Sequence, residues 1–227
     1  MVDYIGFLVD RRSELVQLTV EHIEIVVTAM ALAIVIGVSL GTLITLNDQA
    51  ASIVLWLAGI SMTVPSIALF GLLIPVLGIG SPPVVFALVL YAQLPLVRNT
   101  YIGLTEVDDA AVEVGRGMGM TRWERLRRIR FPNALPVLMA GLRNAVIIII
   151  GVAAIGAFIG AGGLGDFIFQ GIRKRDIAMI IVTTGCLSAL ALVFDYVFGV
   201  LEQLFRLRNG EEINRSVVTD SIWRVVA

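Results

Sequence analysis

Residues 113–132 read EVGRGMGMTRWERLRRIRFP, with six arginines and three glycines set between long apolar segments. Two chemistries fit such a stretch. A basic amphipathic hairpin can hold anionic lipid at a membrane surface, or a glycine-turned pair of helices can present charge to another protein. Three further ionisable residues, Arg98, Arg143 and Asp195, fall inside apolar runs, where a charge is costly and usually paired or functional. Asp195 is expected to pair with one of the two arginines, and a gate element of a translocation path is the sharper alternative. Cys186 and His22 are each the only residue of their type. Cys186 reads as a buried thiol, which excludes a disulfide framework and a Cys-based metal site, and His22 as an interfacial histidine. GAGGLG at Gly160–Gly165 matches GxGxxG, but it follows an apolar run rather than a strand. Its glycines are expected to end a span and turn the chain back, not to bind a dinucleotide.

These residues must be carried by membrane-spanning helices. The chain has 227 residues, 58% hydrophobic and 15% charged, against about 25% charged in an average soluble domain. So much apolar side chain cannot fit one small core, and the excess must face lipid. Crossing the hydrocarbon layer takes about 20 apolar residues. Ile25–Leu46, Pro83–Gly103, Ala134–Ile159 and Ile177–Phe205 each qualify. Ala51–Gly80 carries Pro65 and Pro75. It reads as an interfacial start over 51–63 and a span over 64–79, giving five crossings, whereas two separate crossings would give six. The fold class is therefore an all-α, polytopic membrane protein. It divides into an N-terminal tail and interfacial segment (1–24), a transmembrane domain (25–205) and a C-terminal tail (206–227). The first twenty residues include Asp3, Asp10, Arg11, Arg12 and Glu14 and show no cleavable leader. Gly37/Gly41 and Gly156/Gly160 have the GxxxG spacing of close helix packing.

Orientation follows from loop cations. The island and the C-terminal tail hold ten arginines, and the opposite side holds five basic residues, Arg11, Arg12, Arg173, Lys174 and Arg175. The N-terminus is expected outside, and the island and C-terminus inside. Within the island, Glu106–Met118 reads as a short helix with early acids, loosened and ended by Gly115, Gly117 and Gly119. Thr121 and Glu124 form a capping box for a second helix. Trp123, Leu126 and Ile129 make one apolar stripe on that helix, and Pro132 is expected to stop it before the next span.

The spacing from Glu113 to Gly119, Ile129 and Phe131-Pro132 resembles the EAA loop of bacterial ABC importer permeases: E-A-A, three residues, G, nine residues, I, any residue, L-P. Val114, Gly115 and Phe131 replace the two alanines and the leucine without moving the frame. A rival frame starting at Asp109–Ala111 puts Gly115 in place but leaves Pro132 four residues too far. MTVPSIALFGLLIPVLGIG, LPLVRNTYIGL, GMGMTRWE, PNALPVLMAGLR and FIGAGGLGDFIFQGI are similar to the osmoprotectant subfamily, permeases for glycine betaine, carnitine and choline. The resemblance covers roughly residues 20–205.

That resemblance implies a MetI-like permease fold with cytoplasmic coupling helices in a bacterial or archaeal cell (inner) membrane. Glu113, Gly115, Gly119, Met120, Thr121, Trp123, Glu124, Ile129 and Pro132 would then dock the ATPase. The implied partners are a second permease chain, identical or paralogous, an ABC ATPase dimer and an extracytoplasmic solute-binding protein. ATP and magnesium belong to the ATPase. The chain itself has no GxxxxGK[ST], so no cofactor is expected in it. No nucleic acid is expected as a partner. Quaternary ammonium groups favour aromatic cages, for which Phe70, Phe86, Tyr91, Tyr101, Phe158 and Phe167 are candidates, although aromatics in spans more often face lipid or core. Two alternatives stand: an ABC permease for another small polar solute such as an amino acid or sulfonate, or an ATPase-independent secondary carrier, for which no internal repeat argues.

Overall fold

The computed structural model describes residues 4–210 and Thr219. Among the described residues ten α-helices follow one another: α1 Tyr4–Asp10, α2 Arg12–Leu43, α3 Asp48–Ser61, α4 Ser66–Leu77, α5 Ser81–Thr105, α6 Asp109–Gly117, α7 Arg122–Arg125, α8 Phe131–Gly156, α9 Gly165–Lys174 and α10 Ile177–Arg208. Four helices among the described residues are long and apolar enough to cross a membrane, or five if the bent pair α3/α4 makes one span.

At the centre is α5, with α2 on one side and α8 on the other. Small residues make this contact possible. A Cβ on Gly37 would lie 2.7 Å from the Leu96 Cβ, and one on Gly41 would lie 2.5 Å from the Thr100 Cβ. On the α8 side, a Cβ on Gly141 would meet the Asn99 Cβ at 2.6 Å, and one on Gly156 would meet Val84 at 2.7 Å. Lipid offers no hydrophobic drive for helix association, so backbone approach through such residues supplies the contact. Ala29, Ala33, Ala87, Leu88, Ala92, Val146, Ile149 and Ala153 complete the core between the three helices.

Several expectations need correction. Residues 12–24 are not a separate interfacial tail, because α2 runs unbroken from Arg12 to Leu43. Its start and α1 pack on α9 and α10 through Phe7, Leu15, Leu164, Phe167 and Met179. His22 is fully buried rather than interfacial, with its Nε2 3.1 Å from the Ile150 carbonyl oxygen. Residues 51–61 do not lie along the surface. Helix α3 climbs beside α5, from Ala51 against Val97 to Ser61, whose hydroxyl lies 3.4 Å from the Leu90 carbonyl. The chain then bends by 97° into α4. Pro65 at the head of α4 accounts for the break, since it supplies no N–H and disfavours a helical residue before it. At the break, the Tyr91 hydroxyl donates to the Val64 carbonyl at 2.7 Å, so this irregular backbone is satisfied inside the protein.

Pro132 does not stop a helix either. Residues Arg122–Ile159 form one continuous rod. Leu126–Arg130 widens into a π-helical turn, and Pro132 follows it at the start of α8, so the missing N–H is absorbed at the π-turn without ending the rod. Gly160 is not part of a packing pair with Gly156. It sits at φ +78 and caps the last turn. Arg206 and Arg208 close α10, whereas Arg215 and Arg224 of the expected C-terminal tail lie outside the described residues.

Candidate functional site: the basic island and the span charges

Helix α6 begins one turn later than the expected Glu106. Asp108 caps it by accepting from the Ala110 N–H at 3.0 Å. Gly115 lies within this helix rather than loosening it. A Cβ there would run into the Ile129 side chain and lie 3.4 Å from the Met120 sulfur. Gly115 is thus where the second helix of the island crosses the first. Gly119 differs. It has φ +80 with open space around it, so conformation and not crowding selects glycine. The turn is closed by the Met120 N–H donating to the Gly115 carbonyl at 3.0 Å. The Arg125 guanidinium reaches back to the Met120 carbonyl at 2.5 Å.

Thr121 then starts α7. Its hydroxyl oxygen accepts from the Glu124 N–H at 3.2 Å, while the Glu124 carboxylate accepts from the Thr121 N–H at 2.8 Å, a closed capping box. Bonds from the Thr121 N–H and hydroxyl, aided by Arg128, hold the Glu124 carboxyl below its ordinary range. The apolar stripe divides. Ile129 is beneath Gly115, and Leu126 packs by the Leu104/Ala134/Leu138 cluster. Trp123, 67% exposed, flanks an open groove of about 580 Å³ shared with Val38, Thr42 and Leu43 of α2. Glu113 is exposed and makes no hydrogen bond or ion pair among the described residues. The island is therefore braced by its own bonds and keeps a free charged face.

The three span charges separate. Arg143 and Asp195 form a two-pronged pair, Nε to Oδ1 at 2.5 Å and Nη2 to Oδ2 at 2.6 Å. Glu202 stands 3.9 Å from the same guanidinium and 2.9 Å from Arg206, so four charges link α8 to α10 and sum to zero. Glu202 escaped the sequence reading, and Arg206 entered it only as a cation of the C-terminal tail. The signal was present: Glu202 is seven residues after Asp195 and four before Arg206, on one helix face. Arg98 takes no part. It lines a separate open cavity of about 430 Å³ with Met62, Pro95, Asn99, Asn144 and Ile148. The candidate aromatics are not brought together. Phe70, Tyr91 and Phe167 are buried in the core, while Phe86 and Phe158 are exposed on the surface. Among the described residues no group of His, Cys, Asp or Glu could hold a metal ion.

Residues 30–207 match the family model described as "Binding-protein-dependent transport system inner membrane component". The chain belongs to this family. Within it, the chain is 45% identical over 206 residues to the osmoprotectant import permease protein of Salmonella typhimurium, covering 88% of this chain and 96% of that one. It is 40% identical to the glycine betaine/carnitine/choline transport system permease protein of Bacillus subtilis, covering 87% and 91%. An inward-facing structure of the MetNI methionine ABC transporter superposes with a TM-score of 0.74 at 23% identity, covering 84% of this chain and 95% of that one. An amino acid ABC transporter solved with histidines gives 0.74 at 18% identity, covering 89% and 99%. Those two structures establish the fold, a MetI-type permease architecture. The family's description makes the chain an inner-membrane component, in keeping with its apolar spanning helices.

Proposed function

We propose that this chain is the permease subunit of an ATP-driven importer for compatible solutes such as glycine betaine, carnitine or choline. It works beside a second permease chain, a separate ATPase pair that binds ATP and magnesium, and an external solute-binding protein. The observation that carries the reading is the island, a self-braced helix–turn–helix with an exposed Glu113, continuous through the π-turn with the membrane rod α8. Such an element can receive a push from a docked partner and pass it to a span as a rigid body. Glu113, Gly115, Gly119, Met120, Thr121, Trp123, Glu124, Ile129 and Pro132 form or support the docking face. The names of the relatives favour compatible solutes over amino acids or sulfonates.

The island and the end of α10 lie on the cytoplasmic side. The Asn209 amide donates to the Pro132 carbonyl at 3.3 Å, so the two arginine-rich stretches share one end of the bundle. The excess of arginine favours the inside for that end. With five spans the N-terminus is outside. A cysteine placed near Asp166 should react with an impermeant thiol reagent from outside, and one near Arg127 only after permeabilisation. Labelling of both from one side sinks this orientation. Uptake by the reconstituted complex, with each candidate solute in competition, tests the substrate class. Uptake without the ATPase would favour a secondary carrier.

A further inference from the structure

Arg98 is an arginine inside a span with no anion beside it. It lies on α5, seven residues before the helix ends at Thr105, about 10 Å along the axis. It is exposed and makes no hydrogen bond or ion pair among the described residues. Lipid does not tolerate such a cation well, so span arginines usually face a bundle interior or a watery cavity. Arg98 faces a cavity of about 430 Å³, within the usual range for small-molecule sites. Asn144 of α8 lines the same cavity, is exposed, and likewise makes no side-chain hydrogen bond among the described residues. Asn99 is held in place by its amide, which donates to the Pro95 carbonyl at 2.7 Å.

A second, independent feature meets them. Met62 lines this cavity and belongs to the break between α3 and α4. Broken spans in transporters collect where solute binds near mid-membrane. The missing anion is not in the chain's own spans. Asp195 and Glu202 are engaged by Arg143, and Glu21 and Glu24 lie near the opposite end of α2. In an identical second copy the acids of the last span, Asp195 and Glu202, are engaged by Arg143 in the same way.

We infer that Arg98, with the Asn144 amide in the same cavity, forms a subsite for the carboxylate of a zwitterionic solute. A guanidinium offers the forked donors that a carboxylate accepts. The same unpaired cation repels a solute that carries only positive charge. The permease therefore favours carboxylate-bearing quaternary amines over choline. This rests on the transport reading above.

The test uses the whole complex reconstituted in vesicles with its ATPase and binding protein, and reads maximal uptake of labelled glycine betaine and labelled choline. The wild type should move glycine betaine faster. Arg98→Gln should lower glycine betaine uptake at least tenfold while choline uptake holds or rises, with ATPase recovery unchanged. Asn144→Asp supplies an anion to the cavity and should shift the ratio the same way. Arg98→Lys should restore part of the glycine betaine rate. Unchanged glycine betaine uptake in Arg98→Gln, or an equal loss of both solutes, overturns the inference and leaves the transport reading standing. A wild-type complex that moves neither solute overturns both.

Discussion

Two glycine-rich turns sit at opposite ends of the rod that contains α8, and they are built in opposite ways. At the turn after α8, the outer one in the orientation proposed above, Gly160, Gly162 and Gly163 all have positive φ, and the surrounding body crowds Gly162 and Gly163. A Cβ on Gly162 would lie 2.8 Å from the Glu21 carboxylate, one on Gly163 would lie 2.9 Å from the His22 ring, and one on Gly165 would overlap the Ala154 carbonyl. The Gly163 N–H donates to Glu21 at 3.1 Å. At the inner turn Gly119 also has positive φ, but nothing lies near it. The bracing there comes from within the island itself, through the Thr121–Glu124 box and the seat of Ile129 under Gly115. One turn is therefore welded to the bundle, and the other is stiff in itself with a face left over for a partner.

The hardest test of this contrast is at the outer turn. Gly165→Val must displace the Ala154 backbone, and overpacking of that kind costs about 1–3 kcal/mol or more. Loss of the protein from the membrane, or a sharp drop in its thermal stability, is the expected result. Normal abundance would show that the outer turn is not welded.

Gly119→Val puts a β-branched side chain at a left-handed backbone position and costs about 1–3 kcal/mol, confined to the island. The permease should remain in the membrane while ATPase co-purification and solute uptake fall together. Full ATPase recovery with normal uptake would reduce the island to a lipid-surface hairpin.

The ion pair between α8 and α10 sharpens the comparison, because it ties the rod to the bundle between the two turns. Arg143 and Asp195 keep 39% and 28% of their side-chain surface, so Asp195→Asn should cost only about 1–2 kcal/mol of stability after allowance for solvent screening. A charge-swapped pair should recover part of it. A double-mutant cycle should find coupling with Arg143 and none with Arg98. Coupling of Asp195 to Arg98 would mean that α5, and not α8, turns its arginine toward α10.

Glu113→Lys should weaken ATPase recovery less than Gly119→Val, since it changes one exposed contact and leaves the turn intact. A larger loss than in Gly119→Val would move the weight of docking from backbone shape to this single charge.

The smallest effect is in pH. Burial first, then the nearby Glu21, raises the Asp166 carboxyl above its ordinary range, with Arg173 opposing. Asp166 therefore favours the folded outer turn more as pH falls through its raised value. Glu124 is held low, so its contribution is present above the ordinary carboxylate range and is lost as pH falls through its depressed value. Acidification should loosen the inner cap first, read as amide-exchange protection of residues 121–126 relative to 163–170 at one pH. The reverse order would contradict the assignment.

Much of this was legible in the chain because it is local. Spans announce themselves by length and apolarity, the capping box by Thr121 and Glu124 three residues apart, and the outer turn by three glycines that need positive φ. These signals act within one or two helical turns. Other features depended on how each helix is rotated about its axis, and only packing sets that. Arg98 and Arg143 both fall inside apolar runs, and nothing local chooses between them as the partner of Asp195. The seating of Gly141 against Asn99, and of α10 against α8, turned Arg143 toward Asp195 and Arg98 toward the cavity. The same holds for His22, buried because α2 meets α8, and for Gly115, which reads as a helix-loosening glycine until Ile129 is packed beneath it. Sequence determined which segments cross the membrane and where the chain must turn. Tertiary structure decided which side chains meet, because partners 52 residues apart are joined only when two helix faces come into register.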